Sequence, residues 1–312
     1  RMTPPSPSVR VVALAGGVGG ARLVHGLDRV LPSDALEVVV NTGDDFNHWG
    51  LRICPDLDTV MYTLAGLSPE ERGWGVEGDS FKCLEEAARR DADAWFQLGD
   101  RDLVTHILRT EALRRGESLT EVTSMLCLGL GVHRPVLPMC DLARPTIMIA
   151  TESGARLAFQ DWLVRMRAEP SVREVLYEGT ATASDSVLKA LRSADLVVIC
   201  PSNPYVSIDP ILSLDGVRTI LQQKKVVAVS PLLGGKAVKG PLATMVTQLD
   251  RAEPTAEWVA AHYADVLDGF VLHEGDTFST ALSVLETNIL IQKQQDRVAL
   301  AREVLDFART QL

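Results

Sequence analysis

The most constraining feature of the sequence is a strand–turn–helix–strand pattern close to its N-terminus. Residues 9–15 (VRVVALA) form a continuous apolar run, and glycines follow this run at once. Such a run, bounded by a turn, is typical of a strand buried in a parallel sheet. Residues 21–31 have helical spacing, and residues 36–41 (LEVVVN) read as a second buried strand. Together these segments predict a βαβ unit.

The same alternation returns in the second half of the chain. Further buried strands are predicted at residues 195–200 (DLVVIC), 225–229 (KVVAV) and 269–273 (GFVLH), with helical segments between them. Repeated alternation predicts a Rossmann-like α/β fold, a doubly wound and mostly parallel sheet in a three-layer αβα arrangement. We expect a single domain over residues 9–312, after a disordered tail over residues 1–8.

A smaller inserted region is expected at about residues 68–180. Residues 68–142 are mainly helical in pattern, and no buried parallel strand is evident there. Residues 146–151 and 155–162 alternate between apolar and polar positions, which predicts an antiparallel hairpin that residues 172–177 extend. The insertion is therefore expected to combine helices with a β-hairpin.

Charge and composition exclude several classes of function. The net charge of −10 gives the chain no general attraction to nucleic acids or anionic membranes. No apolar run reaches the roughly 20 residues that span a bilayer. The five cysteines are scattered and form no C-x-x-C pair, which is typical of reduced thiols. We expect a cytoplasmic protein with no nucleic-acid and no membrane partner.

A glycine-rich loop follows the first predicted strand, at residues 16–22 (GGVGGAR). Glycines at the start of a helix let backbone N–H groups approach a phosphate closely, so we predict phosphate binding; the alternative is a turn without a ligand. The loop lacks the Gly-Lys-Ser/Thr sequence of a P-loop. Asn41 ends the second strand, where a dinucleotide-binding fold would place an acidic residue.

Four aspartates follow the second predicted strand: Asp44, Asp45, Asp56 and Asp58. Carboxylate oxygens combined with substrate phosphates form Mg²⁺ sites in proteins, and we predict Asp44 and Asp56 as the ligands. The alternative is that these residues cap a helix or lie in a solvated turn.

Other candidate groups lie after later strands and within the insertion. Residues 201–208 (PSNPYVSI) and 230–236 (SPLLGGK) offer hydroxyls, amides and one cation at strand ends, where the ligands of such sheets bind. Trp74 could stack on a planar ring or belong to the core, and Arg101 could pair with a phosphate or form a surface ion pair. His106 is a candidate acid or base.

The motifs GGVGGAR, VVNTGDD, RICPDLDTVMYTL, RGWG, LGDRDLVTH, PSNPYVSIDPIL, SPLLGGK and LHEGD together resemble the CofD family. This is the family of 2-phospho-L-lactate transferases of coenzyme F-420 biosynthesis, including actinobacterial members with an enolpyruvyl donor. The resemblance implies transfer of a phospho-three-carbon-acid group from a guanosine diphosphate-linked donor to the ribityl 5′-hydroxyl of the deazaflavin Fo, with release of GMP. It also implies Mg²⁺ dependence and a homodimer.

Site residues follow from the motifs and the resemblance together. The expected metal ligands are Asp44 and Asp56, and the expected catalytic residues are Asp44, Asp45 and Asp58. The donor would contact Gly16, Gly17, Gly19, Gly20, Arg22, Ser202, Asn203, Ser230, Gly234, Gly235 and Lys236. The acceptor would contact Asp58, Trp74, Arg101 and His106. The general base stays open among Asp45, Asp58 and His106.

Two other functions are compatible with the predicted fold. A nucleotide-sugar-binding regulator would keep the glycine loop but would not need the paired acids around residues 52–59. An NAD(P)-dependent oxidoreductase would need an acidic ribose-binding residue at the position of Asn41. No motif distinguishes phospholactate, phosphoenolpyruvate and phosphoglycerate as the three-carbon acid.

Overall fold

The computed structural model describes residues 9–234, 236–237 and 240–312, so the predicted tail at residues 1–8 lies outside the described residues. The strands are β1 (Val11–Ala15), β2 (Leu36–Val40), β3 (Phe46–His48), β4 (Leu51–Ile53), β5 (Val136–Pro138), β6 (Thr146–Ala150), β7 (Arg156–Ala158), β8 (Val172–Tyr177), β9 (Leu196–Ile199), β10 (Lys225–Val229), β11 (Leu232–Leu233), β12 (Lys236–Ala237), β13 (Gly269–His273) and β14 (Ser283–Thr287).

The helices are α1 (Gly17–Val30), α2 (Pro55–Leu64), α3 (Lys82–Ala88), α4 (Asp100–Arg114), α5 (Leu119–Gly129), α6 (Asp185–Ser193), α7 (Asp209–Leu212), α8 (Val217–Leu221), α9 (Leu242–Leu249), α10 (Ala256–His262) and α11 (Gln294–Gln311). Two π-helical turns span Asp161–Arg165 and Pro204–Ile208. Among the helices that the structure describes, none is both long and apolar enough to cross a bilayer.

The central sheet has the strand order β14-β13-β10-β9-β1-β2-β5, and every neighbouring pair is parallel. From β1 the chain proceeds through β2 and β5 to one edge, then returns to β9 beside β1 and proceeds to the other edge. The strand order therefore reverses between β1 and β9. In doubly wound sheets a crevice opens at the carboxyl ends of the strands at such a reversal. The Rossmann-like α/β fold expected from the sequence is confirmed.

Both faces of the sheet are covered, which explains why its central strands are apolar throughout. Val12 and Leu14 of β1 belong to a core that includes residues of α6 to α10, whereas Val11, Ala13 and Ala15 belong to a second core with α1, α2, α5 and α11. Because side chains alternate along a strand, the apolar run of β1 serves both cores at once. The result is the three-layer arrangement that the sequence predicted.

Two strands of the central sheet were not predicted. Residues 68–142 were expected to lack a parallel strand, and this expectation was wrong because β5 pairs with β2. β5 has three residues and ends at Pro138, so it is too short to show a periodicity, and proline is tolerated there because the strand lies at the sheet edge. β14, at the opposite edge, is mostly half-buried and lacks a continuous apolar pattern.

A separate antiparallel sheet has the order β7-β6-β8, so the predicted hairpin and its extension by β8 are confirmed. Met148 of β6 and Val172 of β8 pack into the same core as Val12. The short antiparallel pair of β3 and β4 returns the chain from the end of β2 to the start of α2. These two small sheets carry side chains to the carboxyl edge of the central sheet.

Candidate active site

A first cavity of about 370 Å³ lies at the reversal of strand order between β1 and β9. The loops after β1, β2, β9 and β10 contribute to its walls, so residues distant in sequence meet there. Of the residues predicted to bind the donor or a metal, those that line it are Gly16, Gly17, Gly19, Arg22, Asp44, Asp56, Ser202, Asn203 and Ser230.

The loop after β1 depends on glycine at two positions for different reasons. A Cβ on Gly16 would lie 2.4 Å from Asp56 Oδ2 and 2.7 Å from the Ser207 Cβ, so a side chain there would displace Asp56. Gly17 begins α1 with φ of 65°, in the left-handed region that favours glycine. The N-terminus of α1 therefore reaches the first cavity, where its partial positive charge favours an anionic ligand.

Several predicted donor-binding residues hold the loops in place. Ser202 Oγ accepts from the Gly16 N–H at 3.2 Å and donates to the Gly16 carbonyl oxygen at 2.8 Å, which ties the β9 loop to the β1 loop. Asn203 accepts from the Tyr205 N–H, and Ser230 accepts from the Leu232 N–H. Contact of these three side chains with a donor stays a prediction.

The rest of the predicted donor set lies outside the first cavity. A Cβ on Gly20 would lie 2.4 Å from Ser202 Oγ, so Gly20 is needed for packing and does not line the cavity. The Gly234 N–H donates to Asp276, and Lys236 is exposed on β12; neither lines the cavity. Gly235 lies outside the described residues.

Asp44 and Asp56 converge on a single amide group. Both are buried, and Asn41, fully buried just after β2, lies between them. Asn41 Nδ2 donates to Asp56 Oδ2 at 2.9 Å and lies 3.4 Å from Asp44 Oδ1. The Gly17 N–H donates to Asp56 Oδ1 at 2.7 Å, and Gln160 Nε2 donates to Asp44 Oδ2 at 3.0 Å. The two carboxylates thus share one small space beside the glycine loop.

The electrostatics of this pair suit a divalent cation. Burial raises the pKa of Asp44 well above its ordinary value, and the nearby charges of Asp56 and Asp45 raise it further. Burial also raises the pKa of Asp56 to about 6, although hydrogen bonds from Asn41 and Gly17 oppose that shift. Among the residues that the structure describes, these two buried carboxylates, close together, lack a positive partner to balance their charge. A divalent cation would supply it, and carboxylate oxygens are ligands that Mg²⁺ prefers, so these residues fit Mg²⁺.

A second cavity, of about 390 Å³, adjoins the first and shares Val18, Pro55, Trp74 and Gln160 with it. Trp74, Trp95 and Phe96 line the second cavity. Aromatic residues make up only 5% of the chain, so four in one cavity, these three and Tyr62, form a marked concentration. Apolar ring faces of this kind suit a planar ligand.

The polar side of the second cavity is a buried network around Arg109, which is fully buried. Both oxygens of Asp58 pair with Arg109, one of them at 3.2 Å. Arg109 also lies 3.2 Å from His106 Nδ1, and because a guanidinium only donates, Nδ1 accepts. With Nδ1 accepting, the ring N–H is assigned to Nε2, which lies 3.2 Å from Asp102 Oδ2 without a well-aligned hydrogen bond.

Asp102 is charged in this network. Burial would raise its pKa, but the contact with His106 and the hydrogen bond from Tyr62 at 2.6 Å lower the pKa below its ordinary value. Asp58, Asp102 and His106 each place one ligand atom within 4.8 Å of the others, a spacing that could also hold a metal. A cation there would compete with Arg109 for Asp58, so this group fits a metal less well than Asp44 and Asp56.

The structure does not bring two of the residues predicted for catalysis and acceptor binding to either cavity. The Asp45 carboxylate lies 3.3 Å from the Arg52 guanidinium, and burial raises its pKa to about 7 against the opposing charge of Arg52. Arg101 donates to the Glu77 carbonyl oxygen at 3.0 Å. Neither side chain lines a cavity, whereas Asp58, Trp74 and His106 line the second one.

Other cavity residues were missing from the predicted site. The sequence could have indicated Asp102 and Trp95 as site residues. Asp102 lies in the GDRD motif, and Trp95 is next to Phe96 in a chain that is poor in aromatic residues. Nothing in the sequence indicated Gln160, or Arg109, which lines neither cavity but pairs with Asp58, since one glutamine or one helical arginine resembles many surface residues.

The fold and the two cavities define a Rossmann-like α/β protein with carboxylates and a glycine loop at one cavity and aromatic rings at the next. The family model described as 2-phospho-L-lactate transferase CofD matches residues 11–311. The chain belongs to the CofD family of transferases, which function in coenzyme F-420 biosynthesis, and the resemblance seen in its motifs is confirmed.

Curated relatives cover nearly the whole chain. A phosphoenolpyruvate transferase of Nocardia farcinica is 39% identical over 97% of this chain and 96% of its own length. A 2-phospho-L-lactate transferase of Methanocaldococcus jannaschii is 36% identical over 95% of this chain and 97% of its own length. Relatives named for two different transferred groups, phosphoenolpyruvate and 2-phospho-L-lactate, thus have similar sequence identity to this protein.

A solved structure shares the fold. The crystal structure of a UPF0052 family protein from Bacillus halodurans superposes with a TM-score of 0.63 and covers 96% of this chain and 99% of its own. Its sequence identity is 16%, so the similarity shows the fold alone.

Proposed function

We propose that the protein transfers a phospho-three-carbon-acid group from a guanosine diphosphate-linked donor to the ribityl 5′-hydroxyl of Fo, with release of GMP. The observation that carries this proposal is the junction of the two cavities. Buried carboxylates at a glycine loop adjoin an aromatic cavity, and the two share four lining residues. A reaction that joins an anionic donor to a planar acceptor needs such a junction.

The donor diphosphate would occupy the first cavity. The net charge of the chain is −10, so anion binding must depend on local groups. The N-terminus of α1 provides one such group. Arg22 provides another, since it lines the cavity and its guanidinium is held by the carbonyl oxygens of Ile291 and Glu70, to which it donates. Asp44 and Asp56 would hold Mg²⁺, which when bound would neutralise the diphosphate and the leaving GMP.

The acceptor would occupy the second cavity, with its deazaflavin ring against Trp74, Trp95 and Phe96. Asp58 and Asp102 lie at the polar side of the same cavity and accept hydrogen bonds, so they suit the hydroxyl groups of a ribityl chain. Because Asp45 and Arg101 line neither cavity, we assign the catalytic carboxylate and the polar contacts with the acceptor to Asp58 and Asp102.

The reaction balances as a single displacement at phosphorus. The acceptor 5′-oxygen forms a bond to the phosphorus that carries the three-carbon acid, and the bond from this phosphorus to the GMP oxygen breaks. The hydroxyl proton passes to a carboxylate of the second cavity. Such transfers depend on in-line placement and charge neutralisation more than on a covalent nucleophile. Arg109 supports that placement by fixing Asp58 and the ring of His106.

The test is an incubation of the protein with Mg²⁺, Fo and each guanosine diphosphate-linked acid in turn, namely phospholactate, phosphoenolpyruvate and phosphoglycerate. We expect GMP and a phosphodiester-linked deazaflavin of the mass that one donor dictates. Nucleotide binding without Mg²⁺ dependence, and without any product from Fo, would contradict the proposal and favour a regulator. The implied homodimer stays a prediction, which light scattering of the purified protein would check.

A further inference from the structure

Gln160 is a buried side chain at the junction of the two cavities. It is 7% exposed and lines both of them. The other residues shared by both linings are Val18, Pro55 and Trp74. Among these four, the Gln160 side chain is the one that can both donate and accept hydrogen bonds. A polar group that is buried at a junction has to be satisfied by specific neighbours.

The specific neighbour of Gln160 is Asp44. Gln160 Nε2 donates to Asp44 Oδ2 at 3.0 Å, while the other oxygen, Oδ1, lies toward Asn41 Nδ2 at 3.4 Å. Asn41 Nδ2 in turn donates to Asp56. Gln160 therefore holds one oxygen of Asp44 and leaves the other directed to the space shared with Asp56. The amide thus presents its NH₂ group to Asp44, which is the orientation that a metal-bound carboxylate requires, since such a carboxylate only accepts.

The backbone that carries Gln160 is firmly anchored. Its neighbours Phe159 and Trp162 are both buried, and their ring centroids lie 6.1 Å apart. Trp162 Nε1 donates to the Pro170 carbonyl oxygen at 2.8 Å. Because this segment follows β7 of the antiparallel sheet, Gln160 reaches Asp44 from outside the parallel sheet. An anchored donor of this kind can orient a metal ligand before any metal binds.

We infer that Gln160 is a positioning residue, which orients the Asp44 carboxylate for a divalent cation at the point where the two cavities meet. The inference rests on the proposed function, because it takes Asp44 and Asp56 as the metal ligands. Groups that orient metal ligands through hydrogen bonds typically change metal affinity or activity by about 10–100-fold when they are removed. An effect of this size is expected for Gln160.

The test measures Mn²⁺ binding to the full-length protein without substrates, by electron paramagnetic resonance of the free ion. Gln160→Leu removes the amide at similar size, and Gln160→Asn keeps an amide one methylene shorter. Gln248→Leu is the matched control, because Gln248 accepts from the Val172 N–H at 2.9 Å beside the same antiparallel sheet and lines neither cavity. Melting temperatures and the separate kcat and KM values complete the measurement.

We expect the Mn²⁺ dissociation constant to rise about 10–100-fold in Gln160→Leu and to rise also in Gln160→Asn, with no change in Gln248→Leu. We expect kcat to fall in parallel while the acceptor KM stays within about threefold, because the acceptor does not need the amide to bind. A Mn²⁺ dissociation constant unchanged in both Gln160 variants, or a wild-type protein that binds no Mn²⁺, would overturn the inference. Mn²⁺ binding that depends on Gln160 in a protein that makes no product from Fo would support the inference and refute only the proposed function.

Discussion

The two cavities are built in different ways. The first cavity is lined largely by loops that follow parallel strands, so its glycines and carboxylates lie where the sheet ends. The second cavity is lined largely by side chains from α2, α4 and the loops between them, around the buried Arg109 network. The first depends on backbone geometry and charge, and the second depends on side-chain packing. The following predictions, in order of expected effect, test whether the first cavity depends on charge and the second on side-chain packing.

The largest effect is expected from Asp44→Asn or Asp56→Asn, which remove charge at the first cavity. Turnover should fall by at least about 10²–10³-fold, because a preorganised charge next to the reacting group is lost. Since burial raises the pKa values of both carboxylates, and repulsion raises that of Asp44 further, their charges oppose folding, and the melting temperature should stay equal or rise. Steady-state kinetics and calorimetry measure both quantities.

The matched control for these variants is Asp195→Asn, which removes an exposed carboxylate paired with Arg10. Its activity should be that of the wild type. If both site variants kept full activity and the same Mg²⁺ dependence, the metal assignment would be wrong.

The second prediction concerns stability at the second cavity. Arg109→Met should lower the free energy of unfolding by about 3–5 kcal/mol, because Asp58 would remain buried without its partner. Adding Asp58→Asn should recover part of that loss, since the uncompensated charge is then removed. Urea unfolding of the two variants and the wild type measures the difference. The control is Arg115→Met, which removes an exposed ion pair with Glu111 at the end of the same helix. If Arg109→Met lost no more stability than Arg115→Met, the buried network would not hold this cavity together.

The smallest effect is expected from Trp95→Leu, which removes one aromatic wall of the second cavity. The KM for Fo should rise about tenfold, which corresponds to the loss of one stacking contact, while the donor KM stays the same. Trp258→Leu is the control, because Trp258 donates to Asp250 and lines neither cavity. Equal rises in both KM values would mean that the two cavities do not bind separate substrates.

The difference between the cavities explains which residues the sequence revealed. Gly16 and Asp44 were predicted because they follow apolar runs, and parallel strands bring such positions to one edge. Asp56 was predicted because it lies at the start of the next helix. Asp45 is adjacent to Asp44 in sequence, yet its side chain pairs with Arg52. Sequence spacing does not predict the direction of that side chain. Arg101 lies in a characteristic motif but contacts Glu77, because the loop that carries Glu77 and Asp79 packs against the start of α4.

Local pattern alone determined the Rossmann-like fold and pointed to the glycine loop and to Asp44 and Asp56 as candidate metal ligands, because strand–helix alternation and apolar runs are properties of short segments. The tertiary structure decided that Gln160 meets Asp44, that Arg109 neutralises Asp58, and that β5 joins the sheet. Each of these contacts joins residues more than 50 positions apart, at 116, 51 and about 98 positions of separation. Contacts between such distant residues depend on how whole elements pack, and a short segment carries no information about that packing.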